Sequence, residues 1–329
     1  MGIYRLILAM LVAISHVGVT FWGYNPGVLA VVSFFLLSGY VMTMLIDKYY
    51  DRPAAVPTFY LDRAARLFPQ FLFYMLLAAL CIHFLHLESP PYLSQLNGVK
   101  WLLNFLILPQ GFYMYWADGA LVLPQTWSLG LELTFYLAIP WILIQWPRRG
   151  VYLLSAASLV VYCCAYSGLI NSDHFGYRLL PGTLFMFLFG ASLNRDTAGA
   201  RRYRGVVYTL LALLYVGLFF SPRLYGMNFN KEVLAGLLIG IPVVMAIRSR
   251  PFSRIDEFLG NLSYGMFLNH FLLIWVIQKV TGQTIEQTSV PLLLAASTLL
   301  ALLSYLLVER PALRWRHGIR QGKATPALA

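Results

Sequence analysis

The chain has 329 residues, of which 59% are hydrophobic, 16% aromatic and only 11% charged, and its mean hydropathy is +0.68. A soluble domain carries about 25% charge to keep its surface solvated, so this composition excludes a cytosolic enzyme, a secreted disulfide scaffold and a disordered chain. The net charge of +11 does not point to nucleic acid, because membrane proteins gather Lys and Arg in their cytoplasmic loops.

A helix needs about 20 apolar residues to cross a bilayer. In chain order, runs of that kind cover 4–23, 28–47, 67–87, 128–146, 151–169, 178–194, 204–221, 231–248, 258–279 and 288–309. The first starts after a single Arg and lacks a small-residue cleavage site, which predicts a permanent helix and not a cleaved signal peptide. A further run from Trp101 to Leu108 is too short, and Pro109 and Gly111 follow it. It is expected to be re-entrant or interfacial. With both termini cytoplasmic and this run not crossing, 19 of the 24 basic residues fall in inside segments, which is the orientation that the positive-inside rule selects. The expected fold is therefore an all-α polytopic membrane protein of about ten transmembrane helices, forming a single domain over 1–329, with a disordered tail over 321–329. Cys81, Cys163 and Cys164 lie in apolar runs and are expected to be reduced packing residues, with no disulfide and no metal site.

Ionisable groups in apolar spans are costly and face the bundle interior. Arg5 and His16 are eleven residues apart, close to three helical turns, which sets the imidazole about 16 Å from the guanidinium along the helix. A neutral imidazole is a competent general base; a core histidine bonded to a neighbouring helix is the plainer alternative. Ser128, Glu132 and Tyr136 share one helix face at i, i+4 and i+8, and a lone carboxylate in an apolar helix must find a cation, a donor or a proton. Pairing with an Arg to lock two helices is the competing role. His270 follows Ser263 and Phe267 on one face, where interhelical hydrogen bonding serves equally well. His83 and His86, near the wet end of the third span, read as interfacial. Arg63 and Arg66, at i and i+3 on the cytoplasmic lip of that span, make a fork for phosphate or anchor the span.

Taken together, these residues suggest a bundle open to a phosphate-bearing ligand, with a His and a Glu deeper inside. An acyl-CoA donor fits, because its nucleotide is anionic and its pantetheine arm is long and narrow.

The sequence resembles the membrane acyltransferase-3 family of polytopic O-acyltransferases along nearly the whole chain. The resemblance rests on six stretches in the family's order. The first two are Arg5 to His16 and Phe34-Phe35-Leu36-Leu37-Ser38-Gly39-Tyr40. Arg63-x-x-Arg66 with Pro69 follows, then Trp127-Ser128-Leu129-x-x-Glu132 with Phe135-Tyr136. The last two are Leu259-Gly260-x-x-Ser263-Tyr264 with Leu268 and His270, and Glu309-Arg310-Pro311. The chain departs where many members place a Gly and an acidic residue shortly before the Phe-Phe pair, since Ala30 and Val32 stand there.

The resemblance implies that His16 acts at the catalytic centre, that Glu132 is functionally important, and that Arg63 and Arg66, with Arg5, hold acetyl-CoA as acyl donor. Ser38, Trp127, Ser128, Tyr136, Tyr264 and His270 are the implied supporting or acceptor residues. It further implies a multi-pass protein of the bacterial inner membrane that acylates a hydroxyl on a glycan or lipid-linked saccharide such as O-antigen, common antigen, capsule or exopolysaccharide. At 329 residues the chain is expected to be the form without an appended esterase-like domain. Two other classes remain open on the sequence: a glycan or anion transporter with a buried His/Glu relay, and a structural subunit of an export complex.

Overall fold

Local chemistry sets the helix ends. The first helix, α1 (Gly2–Ser15), stops where Gly18 turns left-handed at φ +80°, a conformation that glycine adopts without strain. Asn25 then caps α2 (Pro26–Tyr49), its Oδ1 accepting from the Gly27 and Val28 N–H groups at 2.8 and 3.3 Å, while Pro26 occupies the first helical position, where a missing N–H costs nothing. The computed structural model describes residues 1–117, 119–249 and 253–321, and every regular element within them is helical. Onward run α3 (Val56–Leu85), α4 (Pro90–Leu93), α5 (Gly98–Asn104), α6 (Ile107–Gln110), α7 (Trp127–Gln145) and α8 (Arg148–Tyr166). After a π-helical turn (His174–Arg178) come α9 (Leu180–Ser192), α10 (Ala198–Leu218), α11 (Pro222–Gly226), α12 (Asn230–Ile247), α13 (Arg254–Thr281) and α14 (Val290–Ser304). A second π turn (Tyr305–Glu309) leads into α15 (Arg310–Gln321).

Among the described residues, seven helical segments are long and apolar enough to cross a membrane: Pro26–Tyr49, Pro53–Leu85, Pro124–Gln145, Arg148–Tyr166, Asn230–Ile247, Arg254–Thr281 and Val290–Arg316. The expected ten is therefore larger than this measure supports. Of the other three runs, α1 has 14 residues and α9 has 13, while α10 opens on Arg201, Arg202 and Arg204. Of these, α9 is enclosed by protein, whereas α1 leaves Ile3 and Ile7 exposed. Every residue of α9 from Gly182 to Ser192 is buried, so its length answers to its neighbours and not to lipid thickness. The 101–108 run forms two short helices, α5 and α6, and does not reach spanning length. Buried Asn104 ties this segment down, donating to the Lys100 and Ala120 carbonyls at 2.8 Å each and accepting from the Val122 N–H at 2.9 Å. The three cysteines are free and half-buried. Arg250, Lys323 and the expected tail beyond Gln321 lie outside the described residues.

The centre of the bundle is the crossing of α2 with α9. A Cβ at Gly39 would collide with the Phe187 carbonyl, and one at Gly190 with the Leu36 carbonyl. The backbones approach this closely only because both sites lack a side chain. Beside them Phe35 stacks on Phe187 with centroids 4.8 Å apart, and Phe187 on Phe135 at 4.3 Å, so one aromatic ladder joins α2, α9 and α7. The crossing places Ser38 on the helix turn that faces α7. Substituting Gly39→Ala or Gly190→Ala should lower stability by about 1–3 kcal/mol through overpacking. Thermal unfolding of the detergent-solubilised protein reads this as a lower midpoint; an unchanged midpoint for both variants would show that the crossing is not tight.

Candidate active site

Helices α1 and α2 run antiparallel through the bundle and line two cavities at opposite ends. A small one of about 190 Å³ takes Val12, Ser15 and His16 from the end of α1 and Gly27, Val28 and Val31 from the start of α2. A large one of about 1010 Å³ takes Met1, Gly2 and Arg5 from the start of α1 and residues through Tyr49 from the end of α2. Leu313 and Arg316 line the large cavity as well, so both ends of the described chain meet at this end of the bundle. Val31, Ser128 and Phe267 line both cavities. These three side chains are the partition between them.

His16 was expected within a helix; it is the residue that caps one, its backbone N–H bonding the Ala13 and Ile14 carbonyls. Its ring lies 4.4 Å from that of Phe271 and stacks on His270 at 5.3 Å, with the planes 12° apart. His270 is fully buried, lines neither cavity, and neither of its ring nitrogens meets a partner among the described residues. It forms the wall behind His16. Trp127 lines the small cavity. Gln125 anchors that wall, donating to the Leu268 carbonyl at 2.7 Å.

Glu132 lies on the other side of the partition. Its Oε1 accepts from Ser38 Oγ at 2.6 Å and from Tyr136 Oη at 2.5 Å, and all three residues line the large cavity. The i, i+4 spacing of Glu132 and Tyr136 thus becomes a real bond, and Ser38 from α2 completes it. A carboxylate held by two hydroxyls is fixed in orientation and satisfied without a cation.

Arg63 and Arg66 both line the large cavity. Helix α3 begins at Val56, two turns before Arg63, and both arginines are largely buried in the bundle. Each has a carboxylate. Arg63 pairs with fully buried Asp62, which also accepts from Arg316 Nε at 3.1 Å, and Arg66 pairs with Glu309 of the second π turn. Arg63 lies 6.0 Å from the Tyr136 ring centroid and Arg66 lies 5.3 Å from that of Tyr264. Tyr264 in turn donates to the Leu67 carbonyl at 2.9 Å. The physical reason is general: a buried guanidinium needs a counter-charge in the absence of ligand. Among the described residues, the cations of the large cavity with no carboxylate partner are Arg5, Lys48 and Arg248.

Six cationic side chains therefore line the large cavity: Arg5, Lys48, Arg63, Arg66, Arg248 and Arg316. A concave surface of this sign and size suits an extended polyanion. The small cavity instead combines one imidazole with aromatic rings and a single cation, Arg178. Lys48, Arg248 and Arg178 carry no motif, and positive-inside counting treats such residues as loop charges. The one local signal for Arg178 is Asp173, five residues before it. Among the described residues no three His, Cys, Asp or Glu side chains converge as metal ligands.

Comparison with known proteins agrees with the resemblance. The chain is 35% identical over 195 residues to an uncharacterized protein of Aquifex aeolicus, covering 56% of this chain and 84% of that one. It is 25% identical over 353 residues to a Staphylococcus aureus protein named "Putative O-acetyltransferase", covering 92% of this chain but 58% of that longer protein. It is also 25% identical over 336 residues to nodulation protein 10 of Rhizobium leguminosarum, covering 88% and 83%. No solved structure matches it. The model of the family described as "Acyltransferase domain" matches residues 3–309, and with nearly the whole chain covered the protein belongs to this acyltransferase-3 family.

Proposed function

We propose that the protein is an O-acetyltransferase of the bacterial inner membrane, with both termini cytoplasmic, that takes acetyl from acetyl-CoA in the large cavity and delivers it to a glycan hydroxyl in the small one. The observation that supports this most is the partition. A cationic chamber and an imidazole chamber share a wall of three side chains, each of which lines both, so a long narrow arm entering the first can bring its tip to the second. Arg5, Lys48 and Arg248 supply charge not already matched by protein carboxylates, and so are the phosphate contacts that the nucleotide gains first. Arg63 and Arg66 keep the field of the cavity positive beneath them.

In the reaction the acceptor hydroxyl attacks the thioester carbonyl, the C–O bond forms, the C–S bond breaks, and CoA leaves as a thiolate that takes up a proton. His16 receives the hydroxyl proton as general base. The stack on His270 and the contact with Phe271 hold its ring plane. Glu132 works on the donor side, where its bonds to Ser38 and Tyr136 order the wall along the arm. Transfer through an acetylated His16 is the variant route; acyl-enzyme formed rapidly without acceptor would favour it.

Purified protein in detergent, given labelled acetyl-CoA and a lipid-linked glycan, tests the reading. His16→Ala should cut label transfer by about 10²–10⁴-fold while CoA binding is kept. Equal transfer by variant and wild type would remove His16 from the chemistry, and no transfer by either would favour a transporter or a structural subunit. Lys48→Ala and Arg248→Ala should each raise the KM for acetyl-CoA about tenfold, the value of one charge-assisted hydrogen bond, with kcat little changed. Asp62→Asn should behave differently, because it strips a buried counter-charge from Arg63 and Arg316. A loss of about 3–5 kcal/mol, seen as aggregation on size exclusion or a lowered unfolding midpoint, is the expected result.

A further inference from the structure

The small cavity contains a cation that the chemistry above does not use. Arg178 is the last residue of the π-helical turn His174–Arg178. The i to i+5 geometry of that turn brings its side chain back over Asp173, and its Nε donates to Asp173 Oδ1 at 2.5 Å. Four rings surround the guanidinium, with its Cζ 4.7 Å from the Trp127 centroid, 5.3 Å from Phe229, and 5.5 Å from both Tyr113 and Tyr177. These rings come from the segment after α6, from α7, from the π turn and from the residue before α12. An arginine caged from four parts of the chain is fixed in direction. A salt bridge alone would not need the cage, since the Asp173 pair is local.

From this we infer that Arg178, in its aromatic cage, is the acceptor-positioning residue, and that the site it forms takes one uncharged pyranose-sized ring. The inference rests on the transferase reading and deepens it. Three observations point the same way. The cage opens into the same cavity as His16, so a group held by Arg178 is presented to the imidazole. With Nε committed to Asp173 and a further hydrogen bond made to Tyr113, the N–H donors that remain on the guanidinium suit neighbouring hydroxyls. Aromatic rings beside it offer apolar faces to the C–H side of a ring. The volume sets the depth, for about 190 Å³ is below the range of about 300–1,000 Å³ of drug-sized ligand sites. One ring enters, and the rest of the acceptor stays outside. The charge sets the class: Asp173 already neutralises Arg178, so a carboxylate on the sugar gains no net attraction.

Binding can be read without any chemistry, which separates this inference from the transferase reading. Titrate the full-length protein in detergent with methyl β-D-glucopyranoside, methyl β-D-galactopyranoside and methyl α-D-mannopyranoside, following tryptophan fluorescence. Methyl β-D-glucuronide serves as the charged ring and a six-residue glucan as the long chain. At least one neutral ring should change the signal saturably, and Trp127→Phe should remove that change. Arg178→Ala should weaken binding by about tenfold or more, Arg178→Lys should restore part of it, and CoA binding should stay at the wild-type level in both. The glucuronide and the glucan should bind no more tightly than the neutral ring. The inference is overturned if no neutral ring binds, if Arg178→Ala binds as wild type, or if the charged or long ligand binds tenfold better. Ring binding with no acetyl transfer would leave the site standing and sink the transferase reading.

Discussion

A guanidinium inside a helical bundle must be answered by a carboxylate or by a ligand, and that requirement organises the cationic end of this protein. Asp62 is fully buried and holds two arginines, one from its own helix and one from α15. Glu309 answers Arg66 from the π turn just before α15. The last helix is thereby clamped to α3 by charges in a poorly hydrated place, where each member is costly to leave alone. Everything that lines the large cavity from α3 and α15 takes its position from this clamp. It also sorts the cations into those that hold the fold and those left over to meet an anion.

Much of this was legible in the sequence, and the parts that were not share one cause. Helical periodicity reports the face and height of a residue, and it correctly put Glu132 and Tyr136 together, while His16 falls just past the end of the helix that carries Arg5. It does not report neighbours. Ser38 meets Glu132 from 94 positions away, and nothing in either local pattern says so. The same blindness set His16 and Glu132 in one site, whereas the chain puts a wall of Val31, Ser128 and Phe267 between their cavities. Arg63 and Arg66 were legible as a pair, but their partnership with Glu309 and Arg316 was not, because both come from the far end of the chain. The span count differs for another reason. Hydropathy assumes lipid on the outside of every apolar run, and α9 is surrounded by other helices over Gly182 to Ser192.

The division into two chambers gives the buried polar residues distinct work. Glu132, Ser38 and Tyr136 form a closed hydrogen-bond set on the large side. On the small side packing does more of the holding: His16 lies against two touching rings, and Arg178, paired with Asp173, sits among four. Under the proposed reading this is sensible chemistry. The donor side must hold one constant cofactor arm, for which fixed hydrogen bonds are efficient. The reacting side must keep its nitrogen free to move a proton, so its ring is oriented by packing and not by a bond that would occupy the nitrogen.

The brevity of α1 has a consequence for transport as well as for architecture. Fourteen residues make a helix about 21 Å long, against a hydrocarbon layer of about 30 Å. Because its two ends open into different cavities, the protein is in effect a local thinning of the barrier between them. Under the proposed reading, a cargo as small as an acetyl group then needs no rocking of domains and no alternating gate: it crosses one wall of side chains while the bulk of donor and acceptor stay on their own sides.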